Sequence, residues 1–324
     1  MKKLIAFISV AMFLATATPA QAEETNKEIA PTVAIIDTAF NASLFGDKVI
    51  AEVCITAGGG CNNMSGFQLG SGASGANIVV KDRDLEDWSH GNLMAQTILE
   101  ANPNAKLLLI RNAKVYGNAV LSGTEKDLSA ALSWLESNAK VYNVVAVSVS
   151  RGSHSYVSSN RTAAGLVGSI KIYEGMVSRL KANKANPRTI APLERTLNTF
   201  KARLALLPPA VCPDTNDIRN KIISLQGMEI ATIVATGNDA DKVYVDYPAC
   251  IEEAVSVTAH DGSSIVYVGN VSNTTDFGAK ATTTSEATAK LAGIWSLMYA
   301  GSYSLTYKTL SESGLKSGNT VLVN

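Results

Sequence analysis

Neither sign of charge prevails in this sequence: Lys and Arg total 28, and so do Asp and Glu. A balanced chain has no general electrostatic hold on nucleic acid or on an anionic membrane surface. Histidine is scarce, with only His90, His154 and His260 in 324 residues, and no zinc-type ligand cluster appears. No glycine-rich phosphate-binding fingerprint follows the first apolar strand, which argues against a nucleotide-binding domain. Beyond the N terminus no apolar stretch is long enough to cross a bilayer. Cysteine is sparse as well, four residues in all.

What is present begins with an export signal. Lys2 and Lys3 precede an apolar run from Leu4 to Ala17, and Ala20-Gln21-Ala22 has the small-x-small pattern of a signal-peptidase site. Residues 1–22 are expected to be removed, leaving 23–324 as a single domain in the periplasm or outside the cell. Disulfides persist in such compartments. Four cysteines allow three pairings. Cys54 and Cys61 bracket Gly58-Gly59-Gly60, where the chain can turn sharply, so these two are expected to pair and leave Cys212 with Cys250.

Short continuous apolar runs at Val33–Ile36, Ala105–Ile110, Val144–Ser148, Ile230–Val234 and Ala254–Thr258 read as fully buried strands, each followed by a helical pattern. That alternation predicts an α/β fold with a mainly parallel sheet and helices on both faces. In such sheets functional residues gather at the C-terminal strand ends. One segment breaks the rhythm. Between 163 and 207, apolar residues fall at helical spacing at Leu166, Ile170, Tyr173, Val177 and Leu180, then at Leu193, Leu197, Phe200, Leu204 and Leu207. Asn186-Pro187 separates the two sets, which predicts an inserted helical hairpin. Nine Lys or Arg against two Glu lie within 161–208. This is a solvated basic face or, alternatively, a docking surface for an acidic partner, an anionic envelope or a second copy.

Four polar residues stand at telling places. Asp37 follows VAII at the tip of the first strand, and His90 sits in WSHGNLMA, where Ser89 is placed to cap a helix. Asn238 follows a buried strand in IVATGND, and Ser285 opens a helical pattern in TTSEATAKLAG. Taken singly, each has an ordinary structural reading: a turn aspartate, a satisfied histidine, a Gly-Asn turn, an N-cap serine. Their succession, strand-end Asp, helix-start His, strand-end Gly-Asn and helix-start Ser, is far less ordinary.

With these residues in place the sequence resembles the subtilase superfamily of serine peptidases. VAIIDT is similar to the family's aspartate motif, SHGNLMAQTI to its histidine motif, IATIVATGND to its oxyanion segment and TTSEATAKLAG to its nucleophile motif. VYVDYPACIEEAVSVTA and VVAVSVS also find counterparts there, the similarity covering about residues 31–152 and 211–300. The resemblance implies an endopeptidase acting on polypeptides, with Asp37, His90 and Ser285 as triad and Asn238 as oxyanion donor. It also implies a substrate cleft lined by Ser148, Val149, Ser150 and Gly237. This chemistry requires no cofactor, and a structural calcium ion, common in the family, matches no ligand loop here.

The departures are specific. Thr283, Glu286, Ala289 and Lys290 stand where the nucleophile motif has glycine, methionine, proline and histidine, and Asn92 and Leu93 replace threonine and histidine in the histidine motif. Glu286 is the awkward one, because a carboxylate beside the nucleophile would oppose a forming oxyanion. About eight residues separate the signal cut from the first strand, too few for the folding pro-domain of secreted relatives, and the stretch from Asn273 to Ser285 is short. The hairpin enters between the substrate-pairing strand and the oxyanion strand, so it is expected to overhang the cleft. A subtilase-like module that binds peptides without cleaving them is the alternative function.

Overall fold

The computed structural model describes residues 30–75, 85–116, 119–121, 123–151, 158–206, 212, 217–241 and 244–324; the expected signal peptide lies outside them. In chain order the first half contains β1 (Thr32–Asp37), β2 (Val49–Ile55), β3 (Phe67–Leu69), α1 (Leu85–Ala101), β4 (Lys106–Arg111), β5 (Lys114–Tyr116), β6 (Ala119–Leu121), α2 (Glu125–Asn138) and β7 (Val144–Val149). The second half contains α3 (Ser158–Ala182), α4 (Pro187–Ala205), α5 (Asp217–Gly227), β8 (Ala231–Ala235), β9 (Val255–His260), β10 (Phe277–Lys280), α6 (Thr284–Met298), α7 (Tyr303–Ser313), β11 (Leu315–Ser317) and β12 (Thr320–Val323).

Ten strands form one sheet in the order β11-β12-β10-β9-β8-β7-β1-β4-β2-β3. Every pairing from β12 to β2 is parallel, and the antiparallel pairs sit at the two edges. The five apolar runs read from the sequence become β9, β8, β7, β1 and β4, the centre of the sheet. A strand covered on both faces shows an unbroken apolar run, and these are the strands so covered. On one face Val33, Ile35, Leu107 and Leu109 pack under α1, α6 and α7; on the other Ala34, Ile36, Leu108 and Ile110 pack under α2 and α5. Burying each Ile or Leu completely contributes roughly 1.5–3 kcal/mol.

Two glycines set how closely α1 packs against its neighbours. A Cβ at Gly91 would lie 2.5 Å from the carbonyl of Ala39 and 2.9 Å from the Phe40 ring, so only glycine lets α1 lie against the loop after β1. At Gly293 a Cβ would lie 2.6 Å from Cβ of Ala101 and 2.7 Å from the carbonyl of Ile98, where α6 crosses α1. Gly293→Ala is therefore expected to push apart the helices bearing His90 and Ser285, destabilising the fold by about 1–3 kcal/mol. Urea unfolding measures the loss, and a variant as stable as wild type would contradict the close crossing.

Both expected disulfides are present, Cys54–Cys61 across 7 residues and Cys212–Cys250 across 38. The longer loop makes the second the stronger constraint on the unfolded chain, worth about 4 kcal/mol in the chain-entropy account. The insertion is a helical hairpin as its periodicity predicts, formed by α3 and α4, although its expected end at residue 207 is outside the described residues. Its two glutamates are taken up internally, Lys181 with Glu194 and Lys201 with Glu174, each at 2.7 Å, and Tyr173 meets Phe200 edge to face. These exposed ion pairs contribute little individually. The hairpin touches the domain where Lys171 Nζ lies 3.7 Å from the centre of the Tyr267 ring.

Candidate active site

Asp37 ends β1 and is 2% exposed. Its Oδ1 accepts from the backbone N–H of Thr38 at 2.7 Å and lies 2.7 Å from Nδ1 of His90. Oδ2 is buried and has no hydrogen-bond partner among the described residues. His90 is presented by α1, whose first turns are tied to the loop after β1: Gly91 N–H donates to Thr38 Oγ1, and Asn92 Oδ1 accepts from Asn41 N–H at 2.7 Å. Asn92, one of the departures in the histidine motif, thus fixes the helix to the strand end. The helix begins at Leu85 rather than at Ser89, which corrects the capping role expected for that serine. No glycine, proline or β-branched residue stands between Leu85 and His90, so nothing in the sequence stops the helix from running further N-terminally.

Ser285 is the second residue of α6, whose N-cap is Thr283. Of the amides in the first helical turn, Thr284 N–H donates to Asn238 Oδ1 at 3.0 Å, Glu286 N–H to Thr283 Oγ1 at 3.3 Å and Ala287 N–H to the Thr283 carbonyl at 3.0 Å. The Ser285 N–H is the one left without an acceptor among the described residues. A free amide at the positive end of a helix is a ready donor to developing negative charge.

Asn238 stands opposite, on the loop after β8. Its Oδ1 takes a second hydrogen bond from Thr284 Oγ1 at 3.1 Å, so the helix that carries Ser285 also orients the Asn238 amide. Gly237, at φ +102°, has no room for a side chain: a Cβ there would lie 2.4 Å from Asp246 Oδ2 and 2.5 Å from Asn270 Nδ2. Asn270 pins the loop from outside. Its Oδ1 accepts from the N–H groups of Asp239 and Asp241, and its own N–H donates to the Gly237 carbonyl. Sequence reading misses Asn270, because nothing local marks a lone asparagine in a loop 32 residues after the one it supports.

Of the expected cleft residues, Ser150 reaches the site: its Oγ donates to the Ser285 carbonyl at 3.3 Å. Ser148 and Val149 are core residues, 0% and 1% exposed, and β7 is paired on both sides, with β1 and β8, up to Val149. Of the four expected cleft residues, Ser150 is thus the one whose side chain is bonded to Ser285.

No protein-family model and no curated protein sequence matches the chain. Solved structures do. A protease of Pseudoalteromonas arctica PAMC 21717 superposes with a TM-score of 0.56 at 14% identity, over 90% of this chain and 85% of that one. A mutant of the protease domain of PatA gives 0.54 at 12%, over 91% and 94%. A cold-adapted subtilisin-like serine proteinase gives 0.51 at 15%, over 89% and 83%.

The chain has a subtilisin-like fold.

Within the subtilisin-like fold, the carboxylate of Glu286 is turned back over the N-cap of α6. It accepts from Thr282 N–H at 3.0 Å, from Thr283 N–H at 3.3 Å and from Thr282 Oγ1, completing a capping box with Thr283. The awkward substitution therefore stabilises the start of α6, with its carboxylate directed at Thr282 and Thr283. The hairpin meets this fold next to the loop that carries Asn238. Tyr267, under Lys171, precedes Val268, whose carbonyl accepts from Ala240 N–H at 2.7 Å, and Asn270 follows two residues later.

Proposed function

We propose that the protein is an exported serine endopeptidase. Ser285 Oγ attacks the scissile carbonyl while His90 Nε2 takes its proton; His90 then passes that proton to the leaving amine, and a water molecule hydrolyses the acyl-enzyme by the same route. Asp37 holds the imidazole through Nδ1 and balances the charge that His90 gains. The Ser285 N–H and the Asn238 Nδ2 receive the oxyanion. None of these steps requires a cofactor, and no residues are assigned to a structural calcium ion.

The observation that carries this reading is the 2.7 Å contact between His90 Nδ1 and the buried Asp37 carboxylate, on the sheet end to which Ser150 also ties Ser285. A silent binding module has no use for a buried carboxylate on an imidazole, an unspent helix amide and an oriented asparagine together. The export part of the proposal is supported by two disulfides and by the absence, among the described residues, of a helix long and apolar enough to cross a membrane.

One preparation tests both parts. The protein recovered from periplasm or medium is sequenced from its N terminus, where Glu23 is expected, and treated with a fluorophosphonate probe. Labelling at Ser285, located by mass spectrometry of the digest, is the expected result. A folded wild-type protein that never takes up the probe would favour the silent module.

A further inference from the structure

Arg151 is a cation that the proposed mechanism does not use. It follows Ser150 at the end of β7, and its Nη1 donates to Asn112 Oδ1, just past the end of β4, at 2.8 Å. Because β1 lies between β7 and β4, the side chain crosses the C-terminal end of the strand that carries Asp37. Gly123 makes room for it: a Cβ there would lie 2.6 Å from Arg151 Nη1. Asn112 is committed on its other side, its Nδ2 donating to the Ile55 carbonyl at 3.0 Å and its N–H to the Asp37 carbonyl at 2.8 Å, so the guanidinium is held in place.

This side chain is mostly buried, and burial draws its pKa below the ordinary arginine value, while the charges of Asp37 and Asp127 act the other way. Among the described residues neither carboxylate forms an ion pair with it, and Asn112 is its one hydrogen-bond partner. Arginine presents five N–H donors in a planar fork that suits a carboxylate. A partly desolvated guanidinium with most of that fork unmatched gains strongly from an anionic group brought by a ligand.

Resting on the endopeptidase reading above, we infer that Arg151 is a specificity-determining residue that selects polypeptides with an acidic side chain close to the cleaved bond. The acidic side chain would lie on the Asp37 and Asn112 side of Ser285, away from the Asn238 loop. A cation fixed across the centre of the cleft floor favours a carboxylate over its amide isostere, and repels a lysine at the same subsite.

Internally quenched peptides that differ only by Glu, Gln or Lys at one position, stepped through the residues on both sides of the cleaved bond, test this. At one position wild type should prefer Glu to Gln by about 10- to 100-fold in kcat/KM, the worth of one charge-assisted hydrogen bond. The ratio should collapse in Arg151→Gln and reverse toward Lys in Arg151→Glu. Where circular dichroism shows Arg151→Gln to be unfolded, Arg151→Lys replaces it, keeping the charge without the fork and giving a reduced ratio. A wild type indifferent to Glu, or a ratio that survives the Gln or Lys substitution, overturns the inference. Fluorophosphonate labelling of the same samples separates the two claims: labelled protein without an acidic preference sinks this inference alone. If the protein neither labels nor cleaves, the endopeptidase reading falls, and fluorescence anisotropy of the Glu and Gln peptides on wild type and Arg151→Gln decides the inference by the same ratio.

Discussion

Asp37→Asn is expected to lower kcat by about 10,000-fold, with the fold retained and KM little changed. The reason lies in the two hydrogen bonds on Oδ1, from Thr38 N–H and from His90 Nδ1, both 2.7 Å. An asparagine can answer them in two ways. If its oxygen stays in place, the imidazole keeps its tautomer, but the charge that balances imidazolium is gone and an NH2 group occupies the buried Oδ2 position, where the carboxylate oxygen has no hydrogen-bond partner among the described residues. If the amide turns over, its NH2 faces Nδ1, which must then accept; the proton moves to Nε2 and the imidazole can no longer act as base toward Ser285. Steady-state kinetics with a peptide substrate, paired with thermal unfolding, reads the result. A loss below about tenfold would remove Asp37 from the reaction, since a residue that merely ends a strand has no reason to control kcat.

The centre of this molecule was legible because its physics is local. Runs such as VAII and the apolar stretch before Arg111 are buried on both faces, so their position in the sheet is written in consecutive residues. Strand β2 escaped because Glu52 sits inside it, its carboxylate satisfied by Gly72 N–H and Ser74 Oγ, a pairing no local pattern discloses. Strands β10, β11 and β12 are three or four residues long, too short for periodicity to register. The pairings of Cys54 with Cys61 and of Cys212 with Cys250 were accessible, since few cysteines leave few choices.

For the candidate site, the same division holds. The strand-end and helix-start positions of Asp37, Asn238 and Ser285 could be read from flanking residues, whereas the groups that orient them could not. Asn270, Thr284 and Asn92 act through side chains that meet partners far away in sequence. A motif around Ser148 and Val149 does not say where β7 stops being paired, whereas the sheet register shows pairing on both sides up to Val149. The concern over Glu286 likewise came from sequence adjacency, which brings a side chain near in number but does not give its direction. The N3 position of a capping box points it back over the N-cap.

Direction is also the basis for expecting Asn238→Ala to lower kcat by about 100- to 1,000-fold, the range established for loss of one oxyanion donor. Two donors from Thr284 converge on Oδ1, so the amide cannot turn over without setting its NH2 against an N–H and a hydroxyl. Nδ2 is therefore fixed on the other side of an exposed residue, beside the start of α6, where the Ser285 N–H is also unspent. Under the proposed mechanism these donors bind a tetrahedral oxyanion better than the trigonal carbonyl that precedes it, so loss of one should fall on kcat with KM nearly constant. Thr284→Val removes one of the two orienting bonds and keeps the backbone one, and a smaller fall in kcat, about tenfold or less, is expected from it. If Asn238→Ala instead raised KM at constant kcat, the asparagine would be a substrate-binding residue and the oxyanion would have to be held by other groups.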